Sequence, residues 1–393
     1  MNSSLPFLDR LVRPTVRYWG RQLSSFQLWG YSGLAVAVVL AFGLIAARGL
    51  SGGVMLLIIA SAISTFLALA MLSKILLGQE QLVYYHHEIA VMLSTTLLLW
   101  ALDQPILPYL EITLLGIGAF LAFGRLGCLM VGCCHGKPYG WGVCYRQAHV
   151  AAGFTPYYAG VRLFPVQALE SALVFLIVGV GSGLVLGGHP AGSALVWYVG
   201  AYGGVRFGLE FLRGDPRPYG WGFSQAQWIS LLLMAGVSLA GLYRLLPQSL
   251  LHWGLPLLMA TIMAGATGLR FLVPRLRYGL LNPNHVRELA GVLQLAARPG
   301  SGLAVRTTSL GIRLSASQLA DGTPYHYALS HQSGQLTLQD ARMLARLIGQ
   351  LQPWAGSIQT LEGKQGVFHL LLRAQQPRLR LLEEVQRALA QPR

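Results

Sequence analysis

Eight apolar runs, each about as long as a bilayer is thick, constrain this chain more than anything else in it. They cover roughly residues 28–47, 54–77, 87–103, 109–131, 164–187, 193–212, 225–246 and 251–273. About 20 apolar residues suffice to cross the hydrocarbon core as a helix. Inside lipid a backbone must satisfy its own hydrogen bonds, so such runs fold as helices. The third run is short, which fits a tilted helix or one whose polar start lines a cavity. Only 11% of the 393 residues are charged, against about 25% in soluble domains. The expected class is therefore an all-α polytopic membrane protein with seven to eight transmembrane helices.

A basic segment, 1–27, precedes the first run. It carries Arg10, Arg13, Arg17 and Arg21 but no early apolar core with a cleavage site, so it does not read as a signal peptide. The formal net charge is +15. Its basic residues crowd the ends of the spans, which points to anionic lipid headgroups and not to nucleic acid. After Val273 the composition shifts through a basic, turn-rich exit, and residues 285–393 read as a small soluble α/β module. Strand-like alternation runs over 304–314 and 367–372, helical spacing over 338–351, and a last helix is expected near 383–390. The module shows no nucleotide loop or metal spacing, and its role is not legible.

Charged and polar groups at membrane depth are costly and mark functional sites by default. Four constellations qualify. Tyr84, Tyr85, His86, His87 and Glu88 open the third run. A histidine there can act as a base near neutral pH, or the group can be an interfacial aromatic belt with solvated histidines. Arg125 lies in a glycine-dense stretch with Gly124, Gly127, Gly132 and Gly136, and runs into Cys133, Cys134, His135 and Lys137. Arginine suits phosphate recognition. The cysteines and His135 could instead ligate a metal, but the adjacency of Cys133 and Cys134 makes a closed tetrahedron awkward. Small thiols packed in a core are the plainer reading. Four cysteines in one short segment do not form a secreted disulfide scaffold. Arg206 and Glu210 stand i,i+4 on one helical face, with Arg213 near the same side. Gln167 and Glu170 share a face at the start of the fifth run, where Glu170 could also serve a structural network. Together these residues suggest a cavity for a phosphate-bearing amphiphile, for chemistry on it or for its transport.

At these residues the chain resembles the prolipoprotein diacylglyceryl transferase family. Its glycine-rich motif matches at Gly124, Arg125, Leu126, Gly127, Gly132, Gly136, Pro138, Trp141, Gly142 and Val143. A second element matches at Pro165, Gln167 and Glu170, a third at Arg206, Glu210, Phe211 and Arg213, and a fourth at Ser224 and Gln227. Four ordered elements over roughly 84–246 are more specific than any single motif.

The resemblance implies a transferase domain over 28–273 in the bacterial inner membrane. It would move the diacylglyceryl group of phosphatidylglycerol to a cysteine thiol of a prolipoprotein and release glycerol phosphate. It further implies that Arg125 and Arg206 hold the phosphate, that Glu210 positions Arg206, and that His86 or His87 is the base for the acceptor thiol. Gly124, Gly127, Gly132, Gly136, Lys137, Gln167, Glu170, Arg213 and Gln227 would line the substrates. No metal or diffusible cofactor is implied. A phospholipid binder or transporter with the same headgroup cavity is the alternative.

The family pattern changes at five places. Cys128 replaces an Asn, Cys133 stands at a usually acidic position, and Glu88 and Ile89 replace two glycines after the histidine. Phe164 and Leu169 replace a His and a Tyr. The family also has seven spans and places its glycine-rich loop outside the cytoplasm. The positive-inside rule points the other way: Arg10, Arg13, Arg17, Arg21, Lys74, the 134–163 loop, Arg213, Arg217, Arg275 and Arg277 all fall on one side.

Overall fold

A computed structural model describes residues 7–18, 20–78, 84–248, 251–272, 279–296, 305–318, 325–334, 336–352 and 355–374. Each apolar run forms one helix: α1 (Ser25–Arg48), α2 (Gly52–Leu77), α3 (Tyr84–Ala101), α4 (Ile106–Val131), α5 (Val166–Leu186), α6 (Ser193–Leu209), α7 (Gln225–Leu242) and α8 (Leu251–Leu272). Six are long and apolar enough to cross a membrane. The other two are α3 and α6, whose polar residues belong to the site described below. Local signals set the ends. Gly49, Gly78 and Gly132 take left-handed backbone at the C-termini of α1, α2 and α4, a conformation that costs glycine little.

The most buried of the six is α4, which packs against α1, α5 and α6. Small residues permit that approach, because lipid gives helices no hydrophobic reason to associate. A Cβ at Gly33 of α1 would lie 2.7 Å from Phe123, and one at Gly118 would lie 2.5 Å from Tyr198 and 2.8 Å from Val178. At one end of the bundle the connections are tight. There Glu111 accepts hydrogen bonds from the backbone of Gly192 and Ala194 at 2.8 and 3.2 Å, and Arg48 donates to the Val185 and His189 carbonyls.

The other end carries the long segment between α4 and α5. Its strands β1 (Pro138–Cys144) and β2 (Arg162–Leu163) pair antiparallel. The segment is bolted to the end of α6: Lys137 N–H donates to the Leu212 carbonyl and Gly214 N–H to the His135 carbonyl, both at 3.0 Å. A short 3-10 turn, Glu210–Leu212, ends α6, so that helix stops before the expected residue 212.

The carboxy-terminal region forms an antiparallel sheet of β3 (Arg306–Thr307), β4 (Ile312–Gln318), β5 (Tyr325–His331), β6 (Ala355–Glu362) and β7 (Phe368–Ala374), in the order β6-β7-β5-β4-β3. Helices α9 (Pro283–Ala296) and α10 (Leu338–Leu351) accompany it. The expected strand over 304–314 is broken at Gly311, which turns with φ 77° between β3 and β4. The expected helix near 383–390 and the basic exit at 274–278 lie outside the described residues. Sheet and membrane-end loop share one core: Leu129, Val143, Tyr145, Phe154, Tyr158 and Leu163 pack in a cluster with Leu289, Leu314, Tyr327, Leu344 and Leu370.

Candidate headgroup site

Glu170 sits in the second turn of α5, fully buried. Three arginines from separate elements converge on it. Arg125, near the end of α4, brings Nε to 3.0 Å from Glu170 Oε2; this is an ion pair not aligned as a hydrogen bond. Arg206, near the end of α6, approaches Oε1 at 3.8 Å. Arg213 donates from Nη1 to Oε2 at 3.4 Å, and Tyr202 donates its hydroxyl to Oε1 at 3.1 Å. The helical spacing of Tyr198, Tyr202 and Arg206 carries this side of the site down α6.

A second carboxylate layer lies outward. Glu210 pairs closely with Arg206, i,i+4 as expected, and accepts from Arg217 at 3.2 Å. Asp215 takes a two-pronged contact from Arg213 at 2.9 and 3.3 Å, and one from Arg217 Nε at 3.0 Å. Burial alone would raise the Asp215 pKa; Arg213 and Arg217 outweigh it and hold the group below its ordinary range. Four arginines against three carboxylates leave one positive charge in a largely buried cluster. Such a cluster suits an anion carrying several oxygen acceptors.

The expected residues separate into groups. Arg125, Arg206, Glu210, Arg213 and Glu170 come together. Gln167 lies beside them but donates to the Cys133 carbonyl at 2.7 Å. Gln227 caps α7 instead: its Oε1 accepts from Ser224 N–H at 2.9 Å and its Nε2 reaches the Phe207 carbonyl. His86 is exposed at the head of α3, 3.1 Å from the Gln225 amide. His87 is buried, its ring 4.6 Å from that of Phe66. Lys137 is exposed. Gly124 has open space where a Cβ would stand, whereas Gly127 meets Phe26 at 3.2 Å and Gly132 meets Phe154 at 2.7 Å. Gly136 is held against the Phe164 carbonyl, where a Cβ would come within 2.5 Å.

Sequence reasoning missed Asp215, Arg217, Tyr198 and Tyr202 as site residues, and singled out Tyr84 and Tyr85 only as part of the group that opens the third run. Tyr84 and Tyr198 share a hydrogen bond at 2.9 Å, and Tyr85 meets Ser230 at 2.7 Å. Their rings pack edge-on or tilted against that of Tyr202, whose hydroxyl reaches Glu170. The four-residue spacing in α6 was the available signal.

The family model described as prolipoprotein diacylglyceryl transferase matches residues 35–243, more than half of the chain. The chain belongs to the prolipoprotein diacylglyceryl transferase family. Among similar relatives is a phosphatidylglycerol–prolipoprotein diacylglyceryl transferase of Dehalococcoides mccartyi, 34% identical over 143 residues, which are 35% of this chain and 52% of the relative. One of Clostridium tetani is 33% identical over 128 residues, 32% of this chain and 49% of the relative. A phosphatidylglycerol–prolipoprotein diacylglyceryl transferase 2 of Clostridium perfringens is 31% identical over 136 residues, 33% of this chain and 50% of the relative. The chain thus spans about half the length of the curated relatives it matches. The match ends at residue 243, so α8 and the carboxy-terminal sheet lie beyond it.

Proposed function

We propose that this membrane protein transfers a diacylglyceryl group from phosphatidylglycerol, or a similar anionic phospholipid, to a cysteine thiol of a prolipoprotein or related acceptor. The observation that carries the reading is the convergence of Arg125, Arg206 and Arg213 on buried Glu170. In the reaction the acceptor thiolate attacks the diacylglyceryl carbon that bears the phosphate ester oxygen. The carbon–oxygen bond breaks, and the electron pair leaves with glycerol phosphate. Charge grows on the phosphate oxygens, where fixed arginines stabilise the transition state more than the ground state. Glu210 positions Arg206, and Glu170 keeps three guanidinium groups together without substrate. His86 or His87 takes the thiol proton. Adjacent helical residues face different directions, so one of the two does this work, and exposed His86 is the better placed.

In this reading residues 28–273 are the transferase domain of a multi-pass protein of the bacterial inner membrane, and 285–393 an accessory domain. The site end faces away from the cytoplasm, where a secreted acceptor is found, so an impermeant amine reagent added to intact cells labels Lys137. Labelling only after lysis contradicts that orientation.

The function is tested with purified protein in vesicles, acyl-labelled phosphatidylglycerol and a peptide carrying one cysteine. Labelled peptide and free glycerol phosphate in equal amounts are expected. Phospholipid retained with no turnover would instead mark a binder or transporter.

A further inference from the structure

Three thiols beside the arginine cluster have no part in the reaction as written. Gly132 closes α4 with φ 84°, and Cys134 follows with φ 56°, an uncommon conformation for a residue other than glycine. This turn folds the chain back on the helix end. The sulfurs of Cys133 and Cys134 thereby meet that of Cys128, and all three lie within 4.8 Å of one another. The adjacency of Cys133 and Cys134, which argued against a shared ligand set, is overcome by that left-handed residue. Cys128 is buried, Cys134 half-buried and Cys133 exposed, so the group is open on one side. None of the three is in a disulfide.

The geometry fits an ion. At a metal–sulfur distance of about 2.3 Å, three thiolates stand about 3.8–4.0 Å apart, inside the observed spacing. The C-terminal end of α4 carries partial negative charge and favours a cation. Three thiolates and a divalent ion sum to one negative charge, opposite in sign to the arginine cluster to which Arg125, three residues before Cys128 in α4, belongs. No fourth ligand closes the set among the described residues. His135 is turned away, its Nδ1 donating to the Gly136 carbonyl at 2.9 Å and its ring edge-on to Tyr158. Among the described residues no other cysteine, histidine or carboxylate joins the group. Three protein ligands and an open position are the pattern of catalytic zinc sites.

We propose that Cys128, Cys133 and Cys134 bind a thiophilic divalent ion of the zinc class, and that its open position takes the acceptor's cysteine. The second clause rests on the transferase reading. Once its proton has been removed, the acceptor thiol is held by the ion as a thiolate. Its sulfur forms the new bond to the glycerol carbon while the carbon–oxygen bond to phosphate breaks. The electron pair departs on glycerol phosphate, the ion keeps its charge, and nothing is oxidised or reduced.

The test uses the full chain in nanodiscs, stripped with chelator, reduced, and titrated with cobalt(II) as the spectroscopic probe. One cobalt per chain is expected, with sulfur-to-cobalt charge-transfer absorption and the intense visible bands of a four-coordinate ion. Cys128→Ser, Cys133→Ser and Cys134→Ser should each lose that spectrum, and Cys144→Ser should keep it. A cysteine peptide should shift the visible bands, and its serine counterpart should not. Wild-type protein that takes up no stoichiometric cobalt overturns the site, whatever the variants do. A spectrum that survives the triple serine variant also overturns it. Bound cobalt indifferent to the cysteine peptide overturns the open-position assignment. Cobalt bound as expected by protein without transferase activity leaves the metal site standing and removes the transferase reading instead.

Discussion

Replacing Glu170 with glutamine probes the site at its hub. The side chain is fully buried, so no solvent screening discounts its interactions. At an effective dielectric constant of about 20, contacts at 3.0, 3.4 and 3.8 Å each gain on the order of 4–6 kcal/mol. Desolvating the ions cancels most of that gain. Removing one partner and leaving the others buried costs about 3–5 kcal/mol. Glu170→Gln keeps the shape and an acceptor for the Tyr202 hydroxyl, but raises the cluster from one net positive charge to two. Unfolding in mixed micelles should show a loss of that size. Phosphatidylglycerol should restore more stability to the variant than to the parent, because its phosphate replaces the missing carboxylate among the arginines. Diacylglycerol, with no phosphate, should restore none. A variant within about 1 kcal/mol of the parent, with equal responses to both lipids, would refute the shared-carboxylate reasoning.

Two further perturbations address the parts that hold the site. A Cβ on Gly142 would lie 2.1 Å from the Leu163 carbonyl oxygen, whereas Gly140 has open space. Gly142→Ala should therefore separate β1 from β2, expose the loop to trypsin at Arg146 and lower turnover, while Gly140→Ala changes neither; equal behaviour of the two contradicts the packing account. His285 is buried in α9, donating from Nδ1 to the Leu280 carbonyl at 3.0 Å and meeting the Thr308 hydroxyl through Nε2 at 3.2 Å. Burial lowers its pKa despite the carbonyl. The unfolded chain therefore takes up the proton first, and the contribution of neutral His285 is present above about pH 6.5. It is lost as the pH falls through the folded value. Hydrogen exchange in α9, corrected for intrinsic rates, should quicken over that interval, and a His285→Gln chain with the same pH dependence would contradict this.

Much of the membrane part was legible because its cause is local. Apolar run length alone placed eight helices within a few residues of their observed ends, and the spacing of Arg206 and Glu210 foretold their pairing. Glu170 was harder to read. Its partners stand at residues 125, 206 and 213, and only the packing of α4, α5 and α6 makes one carboxylate serve all three. The closeness of the three thiols was hidden for a different reason. Spacing assumes ordinary backbone, and a single positive φ at Cys134 reverses what adjacency implies. In the carboxy-terminal sheet, β5 alternates buried Tyr325, Tyr327 and Leu329 with half-buried His326, Ala328 and Ser330, a period-2 signal that was available, whereas β6 (Ala355–Glu362) has few large apolar residues to show one. Gln227 has the residue type of a ligand contact, but its position three residues after Ser224 is that of a helix cap.

The central claim is that buried arginines stabilise the departing phosphate. Turnover of Arg125→Ala and Arg206→Ala, measured beside the parent in the same phosphatidylglycerol vesicles with folding verified, tests it most directly. Loss of a charge-stabilising group of this kind lowers kcat by about 100- to 1,000-fold, and each variant should fall at least that far. Parental turnover in either folded variant would contradict the claim.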